Sequence, residues 1–390
     1  MPEAVLDSVW MHDSRQRPQP KQLLWSRSSG APATLSGIPL HRLMAPKSSS
    51  RLICALALGL SLVTGCTGGH SMTRGEHAGT GALPAIAWLG PDQTADRTSL
   101  HSWRQSVGPP VVFASDAVAS APADRLVIVN WNMHVGGGDF ERLARDVRRQ
   151  AGADVPVVFL IQEAYRDGPE VPAELAGTAS FASLIRSLRP DGSREEIEIV
   201  ARRLGLHAYY VPSMRNGGPG TSAEDRGNAI LSSMPLGELG AIELPFERQR
   251  RVAVAATVTG ATRTGSSWRL RLVSAHLDNM VGARRLWIAG GEFGRTRQAR
   301  GLVSALADEK TLVLGGDLNT WFGFRDAAYR TAAAAFPQTR VSDRRATFHG
   351  VLRLDHLFFR LDAGWTAEFR RADDAYGSDH FPLIGEIRFQ

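Results

Sequence analysis

The chain has 390 residues, 43% of them hydrophobic and 22% charged, a balance that excludes collagen, coiled coil and wholesale disorder. Its formal net charge is +6 and its pI about 9.8, which points at first to an acidic partner. Only Lys21, Lys47 and Lys310 among the 45 basic residues are lysines, a usage more like that of a GC-rich genome than of a basic binding patch. Two cysteines, Cys54 and Cys66, are too few for a disulfide framework or a cysteine-rich zinc site.

Residues 44–51 are short and basic, and Leu52 to Val63 are apolar or small. A helix of that length rises about 18 Å, against roughly 30 Å of bilayer hydrocarbon, so the segment reads as a secretory signal rather than a span. It closes on Val63-Thr64-Gly65-Cys66, which resembles the bacterial lipoprotein box. That resemblance implies a signal peptide over 44–65, a lipidated Cys66 holding the protein to a membrane, and an extracytoplasmic place in the cell envelope. A buried helix ending in cysteine is the plainer alternative, but no amphipathic period continues past Thr67-Gly68-Gly69-His70. Met44 is then the natural start, and residues 1–43 read as an upstream extension without the composition of a packed core. Seven of the 45 basic and three of the 39 acidic residues precede Cys66, which leaves 38 and 36 and a net charge of only +2. The basic balance is therefore poor evidence for nucleic-acid binding.

Residues 66–81 read as a Gly-, Thr- and Ser-rich tether, and 82–123 as scattered apolar residues against a domain edge. One catalytic domain spans 124–390. Leu126–Val129 is a strand covered on both faces, and Asp139 caps a helix whose Phe140, Leu143, Ala144 and Val147 share one side. Val155–Ile161 is a second buried strand. Ser193 and Glu196 form a capping box before a helix over 197–204, and 211–227 reads as loop. Strands follow at Ala229–Leu231, Val252–Val258, Trp268–Ser274, Thr311–Leu314, Leu352–Phe359 and Phe381–Phe389, with a helix over 296–307. Trp268-Arg-Leu-Arg-Leu272 alternates as a half-exposed strand should. Strands outnumber helices and are often consecutive, so the class is mixed α/β (α+β) rather than a doubly wound parallel sheet.

The ends of these runs carry carboxylates, carboxamides and histidines: Asn130, Asn132 and His134; Gln162 and Glu163; His276 and Asp278; Asp317 and Asn319; Asp355 and His356; Asp379 and His380. Hard oxygen donors suit Mg²⁺ or Mn²⁺. Taken singly each has a bland reading, a turn cap, a solvated acid or a satisfied core histidine. Their recurrence at strand ends is what points to a site.

The succession Trp131-Asn132, Gln162-Glu163, Gly227-Asn-Ala-Ile-Leu-Ser232, Ser274-Ala-His-Leu-Asp278, Gly316-Asp-Leu-Asn319, Leu354-Asp-His356 and Gly377-Ser-Asp-His380 resembles the endonuclease/exonuclease/phosphatase superfamily, the deoxyribonuclease-I-like fold, over about 125–390. The resemblance implies a four-layer sandwich of two packed mixed β-sheets flanked by helices, and Mg²⁺-dependent hydrolysis of phosphate esters, with Mn²⁺ as a possible substitute. It implies Glu163 as principal metal ligand, with Asn132 and Asp379. It implies Asp317 as the group that orients or deprotonates water, Asn319 as a phosphate contact, and His380 at the scissile phosphate, oriented by Asp355. His276 matches the deoxyribonuclease and sphingomyelinase-like branches, and Asn228 and Asp278 are implied at the substrate. His356 stands where many relatives have tyrosine and acquires no role. Arg248, Arg250 and Arg251 form a basic cluster read as a solvated strand edge.

The leading expectation is a surface-anchored phosphodiesterase or phosphatase, nuclease chemistry included, acting as a monomer without a protein partner. Its substrate is nucleic acid or phospholipid, the latter by sphingomyelinase/phospholipase C-like head-group hydrolysis. A non-catalytic binding module on the same fold and an unrelated zinc hydrolase are the readings of other classes; the first would be expected to lack a ligand or the histidine, and none is missing.

Overall fold

The computed structural model describes residues 72–77, 84–116, 121–173, 187–217, 223–279 and 287–389. The extension over 1–43, the signal over 44–65 and the start of the tether lie outside them. In chain order the elements are β1 (Met72–His77), β2 (Ile86–Pro91), α1 (Thr94–Arg104), β3 (Val111–Phe113), β4 (Arg125–Asn132), α2 (Phe140–Ala151), β5 (Val157–Asp167), α3 (Ile197–Leu204), β6 (His207–Arg215), β7 (Glu224–Ser232), β8 (Gly237–Glu243), β9 (Val252–Ala261), β10 (Ser267–His276), α4 (Trp287–Ala305), β11 (Leu312–Asp317), α5 (Ala327–Ala335), β12 (Asp355–Arg360), β13 (Thr366–Arg371) and β14 (Leu383–Arg388).

They build two mixed sheets, ordered β1-β2-β8-β9-β10-β11-β12 and β13-β14-β4-β5-β7-β6-β3. β4 shows why the sheets stack. Leu126 and Ile128 face one apolar cluster shared with β9, β10 and β12 of the other sheet, while Val127 and Val129 face another, shared with α2 and α3. A third cluster joins the outer face of β10 and β11 to α4 and α5. Strict alternation along strands buried on both sides thus gives helix, sheet, sheet, helix, the four-layer sandwich expected.

Several local readings change. The expected tether contains β1, which pairs with β2, and β2 extends the first sheet beside β8; β3 extends the second beside β6. Packed structure therefore begins ahead of residue 124. Asp139 does cap α2, its carboxylate accepting from the Arg142 N–H at 2.9 Å. The capping box does not form: the N-cap of α3 is Glu196, without a side-chain bond. Much of the expected loop 211–227 belongs to β6 and β7. Arg271 breaks the alternation of β10, because its chain is buried with Nε 3.4 Å from Glu309. Nor is the basic cluster a solvated edge, since Arg250 and Arg251 are buried, Arg250 on Glu243 at 2.7 Å. Among the described residues no helix is long and apolar enough to cross a membrane.

The sheets approach most closely where the inner core meets polar side chains. A Cβ on Gly315 would lie 2.7 Å from Oδ1 of Asn130 and 2.7 Å from Cδ1 of Leu160, both on the facing sheet. Gly315→Ala should therefore cost about 1–3 kcal/mol, the usual penalty for overpacking a close-packed core. Thermal unfolding measures it; an unchanged melting temperature would show that the sheets can move apart there.

Candidate active site

Inward-facing positions change character at one end of the sandwich. On β10 the inner face runs Leu270, Leu272, Ser274, His276; on β11 Val313, Gly315, Asp317; on β4 Leu126, Ile128, Asn130, Asn132. Ladder register then aligns the chemistry: His276 pairs with Asp317, and Asp317 with Asp355, a single rung across β10, β11 and β12. From the other sheet the Asn132 Nδ2 donates to Asp317 Oδ2 at 3.1 Å, joining the layers. Below it Gln162 donates from Nε2 to Asn130 Oδ1 and Ser274 Oγ, both at 2.9 Å, and Ser274 donates to the Ile161 carbonyl. This polar floor separates the site from the apolar core.

His380 lies in the turn before β14. Its Nδ1 is 2.7 Å from Asp355 Oδ2, and its Nε2 is 3.8 Å from Asp317 Oδ2 and 4.0 Å from Asp379 Oδ1. Three contacts fix that turn: the Trp131 indole donates to the His380 carbonyl at 2.9 Å, the Ser378 hydroxyl donates to the Asn132 carbonyl at 2.8 Å, and Ser378 Oγ accepts from the His380 N–H. Thr347 Oγ1 accepts from the Asp355 N–H, holding the other half of the pair.

The two histidines take opposite charge states. Burial alone would push His380 down, but Asp355, Asp317 and Asp379 outweigh it and lift its pKa to about 10, so it stays an imidazolium. His276, with Nε2 3.4 Å from Asp317 Oδ2, is driven well below its usual value by burial and by the charges of Arg251, His380 and Arg226, so it is neutral. Asp317 is raised by burial and by the Asp355 charge, against the pull of His380 and the bonds from Asn319 and Asn132. A buried carboxylate with raised pKa, beside a cation, is suited to take a proton near neutral pH.

The other expected residues divide. Glu163 sits at a bulge in β5 with φ of 52°, the register against β7 slipping between Ile161 and Ala164. Such a bulge re-aims one side chain out of the ladder. Asn319 also has positive φ; its N–H donates to Asp317 Oδ1 and its Nδ2 to the Leu277 carbonyl, both at 2.9 Å, so it braces Asp317. Asn228 is buried, Nδ2 bonded to the Val252 carbonyl and Oδ1 without a partner. Asp278, expected at the substrate, has its Oδ2 on the N–H groups of Arg248 and Gln249, at 2.9 and 2.8 Å, and orders the loop before β9. His356 is buried and neutral, its Nε2 2.8 Å from Thr320 Oγ1 and its ring against Tyr329, which gives this unassigned residue a packing role. Trp131 and Ser378, which hold the His380–Asp355 pair, stand within motifs already singled out, without a role assigned there; Thr347 carried no sequence signal.

Among the described residues the group whose donor atoms all lie within 4.8 Å of one another is Asp317, Asp355 and His380. Glu163 and Asp379 stand outside that group. The oxygen donors at this end of the sandwich, the carboxylates of Glu163 and Asp379 and the carboxamide of Asn132, are of the kind a hard divalent ion takes.

The sequence profile of the Endonuclease/Exonuclease/phosphatase family matches residues 129–380, every element of the site included. The chain belongs to that family. Family members are phosphoric-ester hydrolases and are generally dependent on divalent metal. Among solved structures, an endonuclease/exonuclease/phosphatase from Beutenbergia cavernae is 17% identical with a TM-score of 0.46, over 68% of this chain and 72% of that one. A family protein from Leptotrichia buccalis is 14% identical, TM-score 0.44, over 68% and 100%. A 3′ phosphatase from Neisseria bound to a product DNA hairpin is 16% identical, TM-score 0.41, over 68% and 99%. No curated protein matches the chain.

Because the folded pKa of His380 exceeds its ordinary value near 6.5, the ion pair stabilises the protein fully below that pH and the contribution is lost as pH rises through about 10. Asp355→Asn removes the main cause, and His380 should then titrate near or below neutral pH in an NMR imidazole titration. A ring that stays protonated well into the alkaline range in this variant would contradict the assignment.

Proposed function

We propose that this chain is a Mg²⁺-dependent hydrolase of phosphate esters, a phosphodiesterase or phosphatase, with Mn²⁺ able to substitute. The observation that carries the reading is the triad of protonation states around Asp317: a buried carboxylate of raised pKa between neutral His276 and cationic His380. Asp317 takes the proton of the attacking water, with Asn132 and Asn319 fixing its two oxygens. His380 turns its Nε2–H toward a phosphoryl oxygen while Asp355 holds Nδ1. Positive charge at this point matters because the phosphate anion repels a nucleophilic oxygen. Glu163, Asn132 and Asp379 are the residues that would hold the metal, which supplies Lewis-acid charge at the phosphate. Asn228 borders the same polar end of the inner face.

Asp317→Ala and His380→Ala should each lower hydrolysis by about 10²–10⁴-fold, the range of general acid–base groups, and EDTA should abolish it. The assay is a panel of duplex DNA, RNA, sphingomyelin, phosphoinositides and aryl mono- and diesters, each with Mg²⁺ and with EDTA. Unchanged rates in both variants would remove the proposal. A lipid head group is the second reading, supported by Phe322 and Val351, which are 46% and 78% exposed on loops that follow Asn319 and Phe348. Phe348 itself lies against the His380 ring at 4.8 Å, so those loops border the site. Hydrolysis of sphingomyelin vesicles in preference to every nucleic acid would select it.

The basic, apolar stretch that ends in Val63-Thr-Gly-Cys66 supports anchoring of this enzyme through an acylated Cys66 in the cell envelope. Cys66→Ser should move the protein from membranes to the soluble fraction and stop incorporation of labelled palmitate; retention on membranes would refute the anchor.

A further inference from the structure

Besides the acidic rung, two buried guanidinium groups sit on or beside the strands that carry the site. Arg226 of β7 and Arg251, just ahead of β9, are 7% and 6% exposed. Neighbouring arginines are neutralised: buried Arg166 is paired with Asp225 and buried Arg250 with Glu243, and half-buried Arg194 with Glu224. Among the described residues Arg226 and Arg251 have no carboxylate at ion-pair distance. Arg226 donates only to Asn216 Oδ1 at 3.3 Å and Met214 Sδ at 3.5 Å. Arg251 donates to Gln249 Oε1 at 3.0 Å, and its buried Nε has no partner. Ladder register places both at the site: Arg226 pairs with Tyr165, two residues past Glu163 on β5, and Arg251 immediately precedes β9, whose Val254 pairs with Ser274, two residues before His276. After burial, their charges help to keep that ring neutral.

Their placement is built. Asn216, which receives Arg226, is held by the Leu188 N–H and carbonyl and by Glu224, itself clamped by Arg194. A Cβ on Gly227 would meet the Val211 carbonyl at 2.0 Å, so β7 is pressed against β6 right beside Arg226. A buried cation without a carboxylate to balance it opposes folding, and two whose charges repel one another oppose it more. Guanidinium forks with unused donors are complementary to the paired oxygens of a phosphoryl group.

We propose that Arg226 and Arg251 form an anion subsite that receives a second phosphoryl group of the substrate, adjoining the one attacked at Asp317 and His380. The proposal rests on the hydrolase reading for its meaning, but the subsite binds an anion whether or not hydrolysis follows. It makes the enzyme selective for substrates that carry neighbouring phosphates over isolated esters.

The test uses the full chain in EDTA with inorganic phosphate as probe, followed by calorimetry and thermal unfolding. Phosphate should bind the wild type and raise its melting temperature. Arg226→Met and Arg251→Met should lose at least about tenfold in affinity, the worth of one charge-assisted pair, and in phosphate-free buffer should melt at or above the wild type. Arg226→Lys keeps the charge, loses the fork, and should weaken binding while folding normally; it decides the matter if a methionine variant does not fold. His380→Asn and Asp317→Asn should bind phosphate within about threefold of wild type despite losing hydrolysis. The subsite is overturned if the wild type binds no phosphate, if the Arg226 variants bind it like wild type, or if His380→Asn is the substitution that abolishes binding. A wild type that binds phosphate through Arg226 yet hydrolyses no ester would sink the proposed function and leave the subsite standing.

Discussion

Asp317 is a carboxylate buried between two sheets, and the rest of the site is arranged around the cost of putting it there. Its oxygens accept from Asn132 on the facing sheet and from the Asn319 backbone, and its charge is balanced by an imidazolium that a second carboxylate, Asp355, keeps protonated. Remove any of these and a charge is stranded in a low-dielectric place. The same burial that raises Asp317 toward neutral pH holds His276 uncharged, so one environment yields a base with a cation and a neutral ring each within 4 Å of it.

The sandwich supplies that environment without special devices. A strand rung places His276, Asp317 and Asp355 at one height, because paired strands keep their residues in register. A polar layer of Asn130, Gln162 and Ser274 lies between this rung and the apolar core, each member bonded to another. The ladder is irregular at Glu163, where a bulge turns one acidic side chain out of it. Arrangement and irregularity both follow from the need to bring many oxygen donors to one small volume.

Most of the inner strands were legible because they alternate, or run apolar, over five or more residues. Leu126–Val129 needed no more than its composition. β13 was not, since Thr366-Ala-Glu-Phe-Arg-Arg371 alternates too weakly at a sheet edge, and β1 and β3 were hidden in stretches rich in Gly, Thr and Pro. Ser193 and Glu196 have the spacing of a capping box, yet the chain enters α3 from a direction set by the Glu195 N–H bond to the Gly136 carbonyl. The candidate residues were found as types at strand ends; Asp278 shows the limit of that reasoning, because a carboxylate beside a motif can serve a loop as well as a substrate.

The sequence by itself determined the fold class, the family and the order in which acids, amides and histidines arrive at strand ends, since these depend on local alternation and short motifs. It also carried the signal-like stretch before Cys66. Only the tertiary structure decided which of these groups are charged and which are spent. Protonation depends on burial and on neighbours from distant strands, so His276 and His380, alike in sequence context, end with opposite charges. The same holds for the arginines: Arg250 and Arg251 are adjacent in the chain, but one reaches Glu243 and the other donates to Gln249, with no carboxylate at ion-pair distance among the described residues.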